Sequence, residues 1–464
     1  MESFFQICVI GERKVLFQSS RQASLTWKPF FHILKLASSA CRPPAYRQAG
    51  GPDRGRGRPR TWHVTGQAGI PSGRDRHAEP LDRALGPEHV EGFPGNKLSL
   101  YYCGLSPHSY GQGVAGHNPA KIESRGPMEI RGLSALVTGA SGFIGGRLAE
   151  RLAVEEGVHV RAMVRSPKKA ERLRKHPLEI VQADLLDLPS LQKAIDGCDL
   201  VFHCAALVQE TGDKNEFYRT NVEGTENILK VSIDKGVRRF IHFSSVAVYG
   251  MNPPDGSDET TPYQPCGNLY CDTKIASEKA VWTAHHETRL PVVVIRPTNV
   301  YGPGSNPWTV RPIKLINSGQ MILINGGTGI CNYVYIDNLL DATLAATKRD
   351  QSVGQVYIIT DGFAVTWKEF FGYYALMARK PNIRSVPEWL AKIIALGMEI
   401  TSKARGRPPK ITREAVRYLT RQAHFSIEKA TRELGYQPRF SLQEGMKLTE
   451  QWLREARYLS KDEK

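Results

Sequence analysis

Two side chains that could move a proton, Tyr270 and Lys274, stand four positions apart in this sequence. Residues at positions i and i+4 share one face of a helix, so the phenol and the ammonium would project together. A tyrosine with a pKa near ~10 is a poor base at neutral pH unless a nearby cation stabilises its phenolate. We therefore expect Tyr270 to be a general acid/base and Lys274 to lower its pKa. Either Ser244 or Ser245, at the end of an apolar segment, could hydrogen-bond a substrate oxygen.

The elements that must position these residues begin with a glycine-rich turn between the apolar segment 135–138 and an amphipathic segment. Gly139 permits a tight turn, Gly142 lets the backbone approach a pyrophosphate, and Gly145 allows the following helix to pack closely. The amino end of that helix would then face the anion. The spacing G-x-x-G-x-x-G in this context predicts a dinucleotide site, although a purely structural turn between strand and helix has the same pattern.

The type of dinucleotide depends on the end of the second predicted strand. An NAD-preferring site would place an acid there for the ribose 2′-hydroxyl, whereas this chain has Arg165 followed by Ser-Pro-Lys-Lys. A cation suits the 2′-phosphate of NADP, and a solvated basic loop is the alternative. Asp184, just past the third strand, could bond the adenine amine or cap a helix. We expect NADP more than NAD.

Apolar segments of strand length alternate with amphipathic segments of helix length from residue 135 onward. Continuously hydrophobic strands separated by helices indicate a buried parallel sheet, so the fold class is α/β, a doubly wound Rossmann sheet. The chain is expected to comprise a disordered extension (1–127), a dinucleotide-binding domain (128–300) and a smaller substrate lobe (301–464) partly interleaved with the sheet. The predicted strands are 135–138, 158–164, 178–183, 200–205, 239–244, 291–297 and 355–360, and predicted helices in the lobe are 367–377, 387–400, 412–420 and 442–455.

Residues 1–127 carry 17 Lys+Arg against 9 Asp+Glu, a surplus of 8 that is half of the formal net charge of +16. Their lack of periodicity and the Arg/Gly-rich run 51–60 indicate disorder. Such a run could bind RNA or belong to a targeting segment. Met128 stands just before the first predicted strand, so an upstream start-codon assignment is the simpler explanation. We expect no nucleic-acid partner.

The eight cysteines include no C-x-x-C pair and no cluster with histidine at zinc-finger spacing. This pattern predicts a reducing, cytoplasmic environment and no metal. No run of about 18 uncharged apolar residues occurs, so a membrane-spanning helix is not expected. The apolar segment 389–400 and the basic residues that follow it, to 410, form either a buried surface helix or an amphipathic helix peripheral to a membrane.

Several motifs together resemble the extended short-chain dehydrogenases/reductases, the class with the NAD-dependent epimerase/dehydratase fold. In that family the catalytic serine stands four residues before the tyrosine of a V-Y-G sequence, which implies Ser245 rather than Ser244. The resemblance also implies that Asn221 and Pro297 lie near the nicotinamide. It covers residues 131–464 and is carried by the glycine turn, by Asn-Val-Glu-Gly-Thr at 221–225, by Ser245-x-x-x-Tyr249-Gly250, by Tyr270-x-x-x-Lys274 and by Arg296-Pro297-x-x-Val300-Tyr301-Gly302-Pro303. The expected cofactor-binding residues are Gly139, Ser141, Gly142, Phe143, Ile144, Gly145, Arg165, Asp184, Leu185, Ala205, Asn221, Lys274 and Pro297.

Two narrower resemblances concern the substrate. Residues 160–167 resemble the dihydroflavonol-reductase type, whose arginine favours NADP, and 406–412 with 425–438 resemble 3β-hydroxysteroid dehydrogenase-like proteins. Both imply hydride transfer between the nicotinamide and a secondary alcohol or ketone of an apolar, sterol-like molecule. A nucleotide-sugar epimerase or dehydratase is an alternative, because Arg311 and Lys314 could bind a diphosphate. A non-catalytic NADP-binding scaffold is a second alternative, and a homodimer is a further hypothesis.

Overall fold

The computed structural model describes residues 127–464, apart from 210–211, 406–408, 410 and 460–464, together with two strands near the amino terminus. These strands, β1 (Phe4–Ile10) and β2 (Arg13–Ser19), pair antiparallel and are not among the predicted elements. The rest of the predicted extension, including the Arg/Gly-rich run, lies outside the described residues. The chain divides into two compact units, Met1–Gly111 and Gln112–Lys464.

A seven-stranded sheet, in which every pair of neighbouring strands is parallel, forms the core of the larger unit. Its predicted strands are all present, with ends that differ from the prediction by at most two residues, so the Rossmann fold class is confirmed. The strands of this unit are β3 (Ser134–Thr138), β4 (His159–Val164), β5 (Glu179–Gln182), β6 (Leu200–His203), β7 (Arg239–Phe243), β8 (Val292–Pro297), β9 (Asn299–Tyr301), β10 (Ile322–Ile324), β11 (Ile330–Cys331), β12 (Tyr333–Tyr335), β13 (Gln355–Ile359), β14 (Val365–Thr366) and β15 (Arg384–Val386).

The order of strands in the sheet is β13-β8-β7-β6-β3-β4-β5, so the winding direction reverses between β3 and β6. In open α/β sheets, ligands bind at such a reversal, outside the carboxyl ends of the strands. All residues of β7 and β8 are buried, as expected where helices cover both faces of a parallel sheet. The fold therefore places a binding crevice at the carboxyl ends of β3 and β6.

Helices cover the sheet and build the lobe that follows it. The four helices predicted in the lobe are present, two of them with the predicted ends. The helices are α1 (Phe143–Val154), α2 (Leu188–Ile195), α3 (Lys214–Tyr218), α4 (Gly224–Asp234), α5 (Leu269–Thr288), α6 (Arg311–Asn317), α7 (Ile336–Lys348), α8 (Trp367–Met377), α9 (Glu388–Arg405), α10 (Arg413–Thr420), α11 (Glu428–Leu434) and α12 (Leu442–Glu455), with 3₁₀ segments at Pro167–Lys175, Val246–Tyr249, Asn325–Gly327 and Asp350–Ser352 and π-helical turns at Arg219–Glu223 and Asn306–Val310.

The part of the chain beyond residue 300 is anchored to the sheet by β13, which pairs with β8. Its interior is unusually aromatic, with fully buried Tyr301, Tyr333, Tyr374 and Trp367. Among the residues that the structure describes, no helix combines the length and apolar character needed to cross a bilayer.

Candidate active site

The predicted site residues follow the ends of neighbouring strands. Because the strands are parallel, their carboxyl ends lie along one edge of the sheet. Residues from six of the seven strand ends therefore meet on the edge where the crevice opens. They are Gly139 after β3, Arg165 after β4, Asp184 after β5, Ala205 after β6, Ser245 after β7 and Pro297 at the end of β8.

The glycine turn packs directly against the strand next to it. Gly139 has a φ of +67°, and a Cβ added there would lie 2.9 Å from the Cα atom of Ala205. A Cβ on Gly145 would lie 2.6 Å from the carbonyl oxygen of Gly139. Both distances are too short for a side chain, so these positions require glycine. The turn therefore brings the backbone of the β3–α1 connection close to the end of β6.

Helix α1 presents an open amino end at this turn. Its N-cap is Gly142, which makes no side-chain capping bond, and no acidic residue lies in its first turn. Ser141 and Gly142 are exposed, and Phe143 and Ile144 are half-buried. Unpaired N–H groups at the start of a helix attract an anion. The residues present thus fit a dinucleotide pyrophosphate.

A second arginine borders the turn beside the predicted one. Arg165 is exposed at the end of β4, and its carbonyl oxygen accepts a hydrogen bond from Gln182 Nε2 at 3.3 Å. Arg172, in the 3₁₀ segment Pro167–Lys175, donates from Nη2 to the carbonyl oxygen of Gly142 at 2.5 Å. The sequence reasoning missed Arg172, because no periodic signal shows that this segment folds back onto the turn.

Asp184 and Leu185 line the next position along the edge. The Asp184 carboxylate accepts the N–H of Leu186 at 3.0 Å and so closes a local turn. The N-cap of α2 is Asp187, so Asp184 does not cap that helix. Leu185 is buried, and its carbonyl oxygen accepts from Asn227 Nδ2 at 2.9 Å.

A buried chain of hydrogen bonds fixes the ends of β3 and β6 relative to each other. Thr138 Oγ1 lies 2.9 Å from His203 Nδ1 and accepts the N–H of Ala205 at 3.1 Å. His203 Nε2 lies 3.0 Å from Thr225 Oγ1. Burial lowers the pKa of His203 to about 3, so its ring is neutral. This chain of hydrogen bonds keeps Ala205 close to Gly139, as the glycine turn requires.

Tyr270 lies in the first turn of α5 and meets Ser245. Asn268 begins the helix, its side chain accepting the N–H groups of Tyr270 at 3.0 Å and of Cys271 at 3.2 Å. Ser245 begins the 3₁₀ turn after β7, where its Oγ accepts the N–H of Ala247 at 3.1 Å. Burial raises the pKa of Tyr270 to about 12, and a hydrogen bond with the Ser245 side chain opposes this rise.

Lys274 is buried one turn further along α5, on the same helix face. Its Nζ donates to the carbonyl oxygen of Phe243 at 2.6 Å. Burial lowers the pKa of Lys274 to about 8, although Cys204 and Glu278 act in the opposite direction. In this arrangement the pKa of Tyr270 lies above its ordinary value, not below it. Burial dominates, and the ammonium is directed at a backbone carbonyl, so the lowering of this pKa by Lys274 stays a prediction.

Asn221 joins the loop after β6 to the helix that carries Tyr270. It lies in the π-helical turn Arg219–Glu223, and its Nδ2 donates to Leu207 O at 3.1 Å and to Thr273 Oγ1 at 3.0 Å. Its Oδ1 accepts the N–H of Leu207 at 2.7 Å. Asn221 thus positions α5 relative to the sheet edge.

The chain is similar to known proteins of one family. The profile of the NAD dependent epimerase/dehydratase family matches residues 135–360. The 3beta-hydroxysteroid-dehydrogenase/decarboxylase isoform 1 of Arabidopsis thaliana is 30% identical, with 68% of this chain and 78% of the relative covered. A 3-beta-hydroxysteroid dehydrogenase of Mycolicibacterium neoaurum is 32% identical, with 67% and 88% covered. The chain belongs to the NAD-dependent epimerase/dehydratase family.

Membership in this family makes the chain a nicotinamide-dependent oxidoreductase that acts on CH–OH groups. The fold of the family is also seen in the UDP-glucose 4-epimerase of Thermotoga maritima, solved with UDP-glucose. That structure superimposes with a TM-score of 0.58 at 25% identity, covering 70% of this chain and 99% of the epimerase. Reductases and epimerases therefore share this architecture, so the two activities must be distinguished by the side chains of the site.

The two serines considered for the substrate oxygen have different surroundings. Ser244 is buried, and its hydroxyl donates to the Glu278 carboxylate, whereas Ser245 is half-buried beside Tyr270. The Glu278 carboxylate also accepts a hydrogen bond from Arg296 Nε, which lies 3.1 Å from each of its oxygens. Glu278 was missed from the sequence, although it continues the i, i+4 spacing of Tyr270 and Lys274 along α5.

The two cations considered for a nucleotide sugar lie on α6. Arg311 and Lys314 are both exposed, and the Lys314 ammonium lies 5.4 Å from the centre of the Tyr458 ring. Pro297 is buried at the end of β8, opposite Ile359 of β13.

Proposed function

We propose that this family member transfers a hydride between NADP and a secondary alcohol or ketone of an apolar, sterol-like molecule. The observation that carries the proposal is the meeting of Tyr270 and Ser245 at the edge that also holds the glycine turn. The names of the two relatives, both 3β-hydroxysteroid dehydrogenases, support the choice of substrate class. An apolar alcohol or ketone is thus the small-molecule partner.

The residues of the crevice suit a bound nicotinamide dinucleotide. The glycine turn and the open end of α1 would take the pyrophosphate, and Lys274 would hold the nicotinamide ribose. Arg165 would pair with the 2′-phosphate of NADP, with Arg172 adding positive charge beside the turn. The bound nicotinamide supplies or accepts the hydride.

The protein's own task is to hold the substrate oxygen and move its proton. We infer that the Ser245 hydroxyl hydrogen-bonds this oxygen and that the Tyr270 phenol, protonated at neutral pH, donates its proton when the oxygen gains negative charge. In the opposite direction the phenolate takes the proton of the alcohol. Lys274, with a pKa of about 8, is charged at neutral pH and stabilises that phenolate.

A matched pair of tyrosine variants tests this assignment. Tyr270→Phe removes the proton donor and should abolish turnover while leaving NADPH binding unchanged. Tyr218→Phe, at an exposed position on α3, is the control and should keep full activity. Absorbance of the reduced cofactor is followed with a panel of sterol alcohols and ketones. Unchanged turnover in Tyr270→Phe would refute the acid/base role.

The epimerase alternative has its own readout. Arg311 and Lys314 would present positive charge to a nucleotide diphosphate. An epimerase returns the hydride to the same molecule, so conversion of a nucleotide sugar without net absorbance change would favour that function over the proposed one. A scaffold that only binds NADP would convert neither substrate class.

The NADP preference is tested through Arg165. Loss of a charge-assisted hydrogen bond costs about 1.5–3 kcal/mol, so Arg165→Ala should raise KM for NADP about tenfold to a hundredfold and leave KM for NAD unchanged. Arg174→Ala is the control, because Arg174 is an exposed cation of the following 3₁₀ segment and is paired with Glu171. A clear preference of the unchanged protein for NAD would refute the assignment.

We also propose that α9 rests on a membrane surface from which the apolar substrate arrives. Its large apolar side chains form an exposed stripe at helical spacing: Trp389 (64% exposed), Ile393 (53%), Leu396 (41%) and Ile400 (60%). The sequence then continues with Lys403, Arg405, Arg407 and Lys410. Apolar residues on one helix face with adjacent cations favour an anionic lipid surface.

The stripe is connected to the candidate active site through one neighbouring helix. Ala391 and Ala395 of α9 are buried against Val416 of α10. Helix α10 also carries Tyr418, whose proximity contributes to the raised pKa of Tyr270. A substrate leaving the lipid at α9 would therefore be next to the wall of the crevice.

Vesicle sedimentation tests the membrane contact. The protein should bind vesicles of phosphatidylcholine with phosphatidylserine, and the double variant Trp389→Ser/Ile393→Ser should bind about tenfold or more weakly. Val154→Ser, which alters an exposed apolar residue on α1, is the control. Absence of binding by the unchanged protein would refute the contact. A dimer that dissociates in the double variant would instead assign the stripe to a homodimer. The cytoplasmic location stays a prediction.

A further inference from the structure

Two cysteines lie together beside Tyr270 and have no role in the proposed reaction. The Sγ atoms of Cys266 and Cys271 are within 4.8 Å of each other, as is a carboxylate oxygen of Asp272. Cys271 follows Tyr270 on α5, is fully buried, and donates from Sγ to the carbonyl oxygen of Ala247 at 2.9 Å. Cys266 is half-buried, two residues before the N-cap of α5.

The surroundings of Cys266 favour its thiolate. The neighbouring Cys271 thiol and the N–H of Asn268 lower the pKa of Cys266 to about 7, despite its partial burial. The pKa of Cys271 is raised by the neighbouring Cys266 sulfur and by its own burial. The thiolate is the nucleophilic form of cysteine, and a partly exposed thiolate next to a second thiol is the usual arrangement of a redox-sensitive pair.

We propose that Cys266 is a site of oxidation by peroxide and that Cys271 resolves it, forming a reversible disulfide. The Cys266 thiolate attacks one peroxide oxygen, the O–O bond breaks, and a sulfenic acid forms while hydroxide leaves. The Cys271 sulfur, after giving up its proton, then attacks the sulfenic sulfur, and the S–O bond breaks with release of a second hydroxide. The pair loses two electrons, and the peroxide is reduced to two molecules of water once the hydroxides are protonated.

The disulfide would disturb the candidate active site. A disulfide has an S–S distance of about 2.05 Å. Cys271 also loses its thiol proton and can no longer donate to the Ala247 carbonyl, whose own residue donates its N–H to Ser245. Tyr270 is adjacent to Cys271 in the chain, so we expect the separation of Tyr270 and Ser245 to change as the two sulfurs close. This inhibitory effect rests on the proposed function, whereas the disulfide itself does not.

The same three side chains could instead hold a metal ion. Two sulfurs and a carboxylate are ligands that zinc accepts. Asp272 Oδ1, however, already accepts the N–H of Cys266 at 3.1 Å, and the Cys271 thiol is committed to a carbonyl. These contacts favour the dithiol, and zinc content is a separate outcome of the test.

The experiment uses the reduced full-length protein treated with hydrogen peroxide. Peptide mass spectrometry should find a Cys266–Cys271 linkage, lighter by two hydrogen atoms than the dithiol and removed by dithiothreitol. Cys266→Ser should form no linkage. Cys198→Ser, at a buried cysteine whose pKa burial raises, is the control and should still form it. Turnover should fall about tenfold to a hundredfold in the oxidised protein, as expected for a displaced catalytic group, and recover on reduction.

Each contrary outcome has a distinct meaning. Oxidation of Cys266 beyond sulfenic acid without a linkage would overturn the pairing, as would stoichiometric zinc that blocks peroxide. A linkage with unchanged turnover, or equal inhibition of Cys266→Ser, would overturn the inhibitory effect. Because the linkage is read by mass, it can be judged even if no sterol substrate is turned over, so its failure and that of the proposed function are distinguishable.

Discussion

Replacement of Glu278 tests the buried hydrogen bonds that join α5 to the sheet in this structure. Its carboxylate is fully buried on α5 and accepts hydrogen bonds from Arg296 on β8, from Ser244 at the end of β7, and from Tyr263 Oη at 3.0 Å. Trp282 Nε1 donates to it at 3.3 Å. Replacing Glu278 with glutamine removes the negative charge while nearly keeping the volume.

The expected loss in the free energy of unfolding follows from Arg296, the partner that stays buried when Glu278 is replaced. Arg296 is 3% exposed, so Glu278→Gln leaves a guanidinium in the interior without its counter-charge. Breaking a buried ion pair by removing one partner costs about 3–5 kcal/mol. The amide nitrogen also replaces one of the two acceptor oxygens, which adds to the cost. We expect the free energy of unfolding to fall by about 3–5 kcal/mol, and turnover to fall with it because Ser244 is adjacent to Ser245.

Urea denaturation of the full-length protein measures this change. Glu287→Gln is the matched control, because Glu287 is exposed near the end of the same helix, and it should change the free energy of unfolding by at most about 0.5 kcal/mol. Equal urea midpoints for the two variants would show that the buried pair does not anchor α5. Retained NADPH binding in Glu278→Gln would locate the damage on the catalytic side of the crevice.

Three further predictions concern the crevice and the lobe. Gly145→Ala places a Cβ 2.6 Å from Gly139 O and should weaken NADPH binding in thermal-shift titrations, whereas Gly372→Ala, on a helix with open space around it, should not. Asn221→Ala removes three hydrogen bonds and should lower kcat with little change in KM for NADP. Burial raises the pKa of Asp361 to about 7, so the native state binds this proton more tightly than the unfolded state. The free energy of unfolding should therefore fall as the pH rises from about 4 to about 7. Asp361→Asn should remove this pH dependence in urea titrations.

The fold was predictable because its signals are local and repeated. Buried parallel strands are continuously apolar, so β7 and β8 could be located to within a residue at each end. The helix α12 begins with a capping box between Ser441 and Glu444, a pattern that can be recognised within four consecutive residues. The π-helical turn at Arg219–Glu223 has no such pattern, because its hydrogen-bond register depends on packing.

The candidate site was predictable where topology determines it. Residues just after parallel strands share one edge, so Gly139, Arg165 and Ser245 could be grouped before any side chain was placed. Arg172 could not, because it reaches Gly142 only after the chain folds back through a 3₁₀ segment. The pKa of Tyr270 could not be predicted either, since it depends on how completely the lobe covers it.

The raised pKa of Tyr270 has a consequence for the proposed proton transfer. With a pKa of about 12, forming the Tyr270 phenolate at pH 7 costs about 7 kcal/mol, and this phenolate is left behind in ketone reduction just as it is needed to start alcohol oxidation. Lys274 could reduce the cost of the phenolate only by turning from the Phe243 carbonyl toward Tyr270. We therefore expect Lys274 to change its hydrogen-bond partner during turnover in either direction.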